Sequence, residues 1–151
     1  MKIYLIGFMG SGKTSVGKRL SARLDFAFVD TDELFSKIHN CSITDYFNLH
    51  TEEKFREEER KILHQMQEME NTVIAVGGGT PCYYDNMDWM LSQGECIYLK
   101  MSPQALFHRL KNSRSERPLL QSDNLLEQIQ TLLSQREPYY QKADITIVSE
   151  L

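Results

Sequence analysis

The sequence predicts a three-layer α/β fold, with a parallel sheet between two layers of helices. Three observations point there. Five apolar runs of four residues, rich in β-branched and aromatic side chains, recur along the chain. The longer polar stretches between them carry apolar residues at helical spacing. The runs are nearly continuous rather than alternating, as strands buried on both faces by crossover helices require.

The elements follow in order. Ile3–Ile6 is the first strand, and Lys13–Leu24 a helix with Val16, Leu20 and Leu24 on one stripe. Phe26–Val29 is the second strand. Thr51–Met69 forms a long helix with Phe55, Ile62, Met66 and Met69 on its apolar side. Val73–Val76 and Cys96–Leu99 supply the third and fourth strands. Ser102-Pro103 reads as an N-cap with proline at the first helical position, opening a helix through Leu110. Asp123–Gln135 carries Leu125, Leu126, Ile129, Leu132 and Leu133 as a further helix, and Ile145–Val148 is the fifth strand.

Composition excludes several classes. At 151 residues, 41% hydrophobic and 25% charged, the chain fits one globular domain, with no disordered, collagen-like or coiled-coil character. The net charge of −4 argues against a partner as anionic as a long nucleic acid. Three widely spaced cysteines, Cys41, Cys82 and Cys96, suit neither a disulfide framework nor a zinc site. No apolar stretch approaches the roughly 18 residues of a membrane span. A soluble, cytoplasmic monomer is the expectation. Charge is unevenly spread, however. Residues 101–120 hold Arg109, Lys111, Arg114 and Arg117 against Glu116 alone, which fits either a solvated loop or a flap over phosphates.

The most specific motif is Gly7-Phe8-Met9-Gly10-Ser11-Gly12-Lys13-Thr14, which matches G-x-x-x-x-G-K-[ST] between a strand and a helix. Glycines let backbone N–H groups turn inward as an anion nest, and the helix N-terminus adds partial positive charge. In such a P-loop, Lys13 reaches the β- and γ-phosphates and the Thr14 hydroxyl ligates Mg²⁺. The expected strand order is then 2-3-1-4-5. No N-K-x-D motif for reading guanine follows, and the expectation is a single domain without a second one to turn hydrolysis into motion. A small P-loop domain of this kind most often passes a phosphoryl group to a small acceptor.

The acceptor side draws on scattered residues. Asp30-Thr31-Asp32 ends the second strand, at the sheet edge where ligands bind in open α/β folds. One carboxylate can hold Mg²⁺ through water beside Thr14, and the other can accept a substrate hydroxyl. The plainer alternative makes Asp30 a turn former and Asp32 a helix cap. Gly77-Gly78-Gly79 after the third strand allows close approach of a ligand, or is only a turn. Arg56 and Glu59 stand three apart on one helix, as a surface pair or as an arginine fixed toward the site. Arg136 is placed near the end of a helix.

Taken together, these residues resemble the shikimate kinase family along nearly the whole chain. The P-loop, Asp30-Thr31-Asp32, Phe55-Arg56-Glu57-Glu58-Glu59, Gly77–Gly79, Arg117-Pro118-Leu119-Leu120 and the Arg136/Pro138/Tyr140/Ala143/Asp144 ending occur in the family's order. The resemblance implies ATP-dependent phosphorylation of the shikimate 3-hydroxyl, with Mg²⁺ as cofactor, in aromatic amino acid biosynthesis. By the same likeness, Gly10, Ser11, Gly12, Lys13, Thr14 and Ser15 bind the nucleotide, and Thr14 and Asp30 serve the metal. Asp32 takes the ring hydroxyls, Arg56 clamps the carboxylate with Glu59 orienting it, and Gly77–Gly79 contact the ring. Arg136 is a second carboxylate clamp and Arg117 reaches the phosphates, which makes Lys13, Asp32 and Arg117 the catalytic set. The acceptor insertion spans about 32–60 and the lid about 109–119.

Two departures stand out. Thr51 replaces the glycine common in the family before Glu52, and the lid from Arg109 to Arg117 is short, leaving Arg109, Lys111 and Arg114 as candidates for a second lid cation. Two rivals remain at this point: a related small-molecule kinase such as gluconate kinase, and a non-catalytic nucleotide-binding module. The four histidines stand at no ligand spacing, and Cys82 reads as a small packing residue.

Overall fold

The computed structural model describes residues 1–112 and 124–149. Five strands form one all-parallel sheet: β1 (Lys2–Ile6), β2 (Ala27–Asp30), β3 (Thr72–Ala75), β4 (Glu95–Lys100) and β5 (Ile145–Val148). Their order across the sheet is β2-β3-β1-β4-β5, as expected. Registers such as Ile3↔Val73 and Leu5↔Ile97 align the strands so that β1, β2 and β3 end together at the edge bearing the P-loop.

The helices are α1 (Lys13–Leu24), α2 (Thr31–His39), α3 (Ile43–Leu49), α4 (Glu52–Gln65), α5 (Asn86–Gln93), α6 (Pro103–Lys111) and α7 (Leu125–Tyr140). Alternation along β1 sorts its side chains to two faces. Tyr4 and Ile6 pack with Ile74 and Tyr98 against Leu63 of α4, Met87 and Met90 of α5, and Tyr140 of α7. Ile3 and Leu5 face Val16 and Leu20 of α1 on the other side. There α1 approaches β2 so closely that a Cβ on Gly17 would lie 2.3 Å from the Phe28 ring, which only glycine avoids. A separate small core of Phe35, Tyr46, Phe55 and Ile62 ties α2, α3 and α4 together.

Several expectations change. The second and third strands shift by one residue, and the Thr51–Met69 helix ends at Gln65 with a 3₁₀ turn over Met66–Glu68. The last helix runs past Gln135, through Pro138, to Tyr140, so Arg136 lies inside it and is buried. Pro138 lies in the final turn, where it removes the one bond an N–H there would give to Ser134 O. Helices α3 and α5 have no counterpart in the sequence reading, which gave α2 only as an unbounded helix after Asp32. The cap of α2 is Asp30, whose side chain accepts from Asp32 and Glu33 N–H, so Asp32 is the second helical residue and not the cap. The sheet is not covered throughout: all four residues of β5 are exposed, with Ile145, Ile147 and Val148 in solvent. Among the described residues no helix is long and apolar enough to cross a membrane.

Candidate active site

The strand ends and the helices after them enclose a cleft of about 700 Å³. One end is the P-loop. Gly10 (φ 84°) and Gly12 (φ 92°) take left-handed conformations that turn the loop around the start of α1. Lys13 folds back across the loop, its Nζ donating to the carbonyls of Gly7 (2.6 Å) and Phe8 (3.0 Å). Thr14 Oγ1 donates to Asp30 Oδ2 at 2.8 Å, and Asp30 Oδ1 accepts the N–H of Asp32 at 3.0 Å. Asp30 therefore joins the P-loop to the acceptor side while capping α2. Gly10, Gly12, Lys13, Thr14 and Ser15 line the cleft. Ser11 does not: it is buried, its N–H bonds Phe8 O at 3.1 Å, and its hydroxyl has no partner.

The other end is built from four separate segments. Asp32 and Glu59 both face Gly77: a Cβ there would lie 2.9 Å from Asp32 Oδ1 and 3.3 Å from Glu59 Oε2. A Cβ on Gly78 would lie 3.0 Å from Arg136 Nη1, and one on Gly79 2.7 Å from Arg56 Nη2. Each glycine thus leaves room for a different charged group, and any side chain would displace it.

The two arginines are both buried but differently satisfied. Arg56 Nη1 donates to both oxygens of Glu59, at 3.1 and 3.4 Å. Glu59 also accepts the Thr80 hydroxyl at 2.9 Å, and Asn86 Nδ2 fixes that turn by donating to Thr80 O at 2.9 Å. Arg136 lies over the Phe8 ring at 5.5 Å, and its buried Nη1 has no partner. One helical turn further on, Tyr140 donates to Gly78 O at 2.6 Å, locking α7 onto the triple glycine.

Charge and burial set the protonation of this end. Burial, then the neighbouring Glu59 and Asp30 carboxylates, push Asp32 up to about 6 against the pull of Lys13 and Arg56. Burial likewise raises Glu59, while Arg56 and the Thr80 hydroxyl pull it back. A carboxyl poised near neutrality beside a lysine and a guanidinium can accept a proton from a bound hydroxyl. Burial pushes the Cys82 thiol up to about 11, which leaves it un-ionised at neutral pH.

The cleft brings together Asp30, Asp32, Arg56, Gly77–Gly79 and Arg136 with the P-loop, and adds residues the sequence reading passed over. Phe47 joins Phe55, already known from its motif, in an apolar wall, and Thr80 orients Glu59. The Arg109 guanidinium stands 3.6 Å from where a Gly12 Cβ would be, so of the two described candidate cations, Arg109 and Lys111, Arg109 lines the cleft. Arg114 and Arg117 lie outside the described residues.

A P-loop at the edge of a five-stranded parallel sheet, with a separate pocket rich in arginine beside it, defines a phosphotransferase class acting on small anionic acceptors. The comparisons narrow this class. A family model described as shikimate kinase matches residues 9–150. The chain is 39% identical over 146 residues to the shikimate kinase of Bacteroides thetaiotaomicron, covering 95% of this chain and 83% of that one. The structure of Acinetobacter baumannii shikimate kinase in complex with shikimate superposes with a TM-score of 0.95 at 31% identity, covering 99% of this chain and 84% of that one. This chain belongs to the shikimate kinase family. A gluconokinase from Sinorhizobium meliloti also aligns, covering 99% of this chain and 83% of that one, but at TM-score 0.59 and 16% identity it shares the fold alone.

Proposed function

We propose that this chain transfers the γ-phosphoryl group of ATP to the 3-hydroxyl of shikimate, giving ADP and shikimate 3-phosphate. The observation that supports it most is the union, in one cleft, of a P-loop with two buried guanidiniums and an aspartate of raised pKa. Arg136, with an unpartnered buried Nη1, and Arg56 take the acceptor carboxylate. Asp32 orients the 3-hydroxyl and receives its proton. Phosphoryl transfer is loose, so positioning and charge neutralisation carry most of the rate. Lys13 supplies positive charge from the P-loop, joined by Arg109 and, from the lid at about 109–119, Arg117.

For Mg²⁺ the donor set fits. A threonine hydroxyl and a carboxylate 2.8 Å apart are hard oxygen ligands, and few protein ligands suffice when phosphates supply the rest. Thr14 and Asp30 would hold the ion, whose charge would offset that of the phosphates. Helices α2–α4, about 32–60, act as the acceptor-binding insertion. The same reading has the chain work as a cytoplasmic monomer on two small molecules, with no nucleic acid or membrane partner.

A coupled ADP-release assay with shikimate and with gluconate tests this. Shikimate-dependent turnover is expected. Preference for gluconate, or ATP binding without shikimate-dependent turnover, overturns the reading.

A further inference from the structure

Arg56 has a support that none of the motifs contains. The Tyr83 ring lies against its guanidinium, 4.1 Å from Cζ to the ring centroid, on the approach from the 3₁₀ turn Thr80–Cys82. The Tyr83 hydroxyl donates to Glu52 Oε1 at 2.9 Å, and the same oxygen stands 3.6 Å from Arg56 Nη2. Arg56 is thus held by Glu59 at one nitrogen, Glu52 at another and an aromatic ring at its carbon.

The backbone next door is committed to this arrangement. Tyr84 has φ of 51°, a left-handed conformation that bulky residues rarely take. Across it the two tyrosines part: Tyr83 packs on Arg56, while Tyr84 is exposed and packs on Arg60 at 5.2 Å. Strained backbone persists where the surroundings hold it, and such places cluster at binding sites.

We propose that Tyr83 is a positioning residue for acceptor recognition. Its ring sets the plane of the Arg56 guanidinium, and its hydroxyl keeps Glu52 in place as that guanidinium's second counter-ion. A carboxylate is recognised best through two parallel N–H bonds, which demand a fixed guanidinium plane. Tyr83 therefore sharpens the choice of an acceptor bearing a planar carboxylate over an uncharged analogue. The inference rests on Arg56 acting as a carboxylate clamp.

The test compares Tyr83→Phe and Tyr83→Leu with the unsubstituted enzyme, using shikimate and its carboxamide, with thermal melts alongside. A desolvated cation–π contact leads us to expect Tyr83→Leu to raise KM for shikimate about fivefold to tenfold. KM for ATP and kcat stay within about twofold, KM for the carboxamide barely moves, and Tyr83→Phe restores most of the shikimate affinity. Tyr83→Met serves the same purpose if the leucine variant does not fold. An unchanged shikimate KM, or equal losses on ATP and shikimate, overturns the role of Tyr83. An unsubstituted enzyme that uses acid and carboxamide equally overturns the Arg56 clamp itself.

Discussion

The two ends of the cleft are made in opposite ways. The phosphate end is eight consecutive residues, Gly7 to Thr14, and its binding groups are largely backbone and one lysine. The acceptor end collects Asp32, Arg56 with Glu59, Gly77–Gly79 and Arg136 from four places in the chain, and its binding groups are buried, charged side chains. A local loop needs only its own φ angles to be right. A site assembled across 104 positions, from Asp32 to Arg136, needs the whole fold. On the proposed reading, the first end holds the phosphates of the nucleotide and the second selects the acceptor.

Substitutions at each end should separate these roles. The largest effect is expected from Lys13→Met, which removes charge where it develops in the transition state. We expect kcat to fall about 10³-fold with shikimate binding retained, measured by steady-state kinetics and shikimate titration. A loss confined to shikimate KM would break the division.

Asp32→Asn comes next, with kcat lowered about 10²-fold through loss of the proton acceptor. Its stability should move the other way. The folded carboxyl titrates near 6, above its unfolded value of 3.8, so its contribution is fully present below 3.8 and is lost as pH rises through about 6. At pH 7.5 the ionised aspartate is a burden, and the asparagine variant should be about 1–2 kcal/mol more stable in denaturant melts, an advantage that disappears near pH 4. In the unsubstituted enzyme, kcat/KM for shikimate should rise through a limb near pH 6 that the variant lacks. A variant less stable than its parent at pH 7.5 would contradict the buried-charge account.

Arg136→Ala should raise KM for shikimate about 10- to 100-fold, as loss of a charge-assisted contact implies, with KM for ATP little changed. Equal losses on both substrates would contradict a dedicated clamp. The smallest effect is expected from Gly79→Ala. Its methyl would press on Arg56 Nη2, and we expect KM for shikimate to rise about threefold to fivefold with ATP unaffected, because the guanidinium is tilted out of its plane while its charge stays in the cleft.

Legibility in the sequence followed the same divide. The P-loop, α1 and the strand positions were readable because eight local residues and short apolar runs suffice to specify them, and the strand order came with the P-loop fold. Asp32, Arg56, Gly77–Gly79 and Arg136 were found as separate motifs, but their mutual packing was not: no spacing says that each glycine faces a different charge. Helices α3 and α5, seven and eight residues long, escaped notice and α2 was given no bounds, because so short a segment shows too few turns of apolar repeat. Asp32 was read as the cap and Asp30 as a turn former, because both are cap-forming residue types beside the same helix start and only the geometry shows which carboxylate meets the free N–H groups. Tyr83 and Thr80 act through contacts with α4 that no local pattern announces.

The bare strand β5 has a consequence for how the molecule moves. Among the described residues it pairs with β4 alone, its four residues are exposed, and none of the described cleft residues lies on it. Segments with few buried contacts open at a fraction of the global unfolding free energy. Amide protons of β5 therefore belong to the fast-exchanging class, while those of β1 and β3, central in the sheet, exchange only when the site itself is lost. The enzyme can fray at one edge of its sheet without loosening the edge that works.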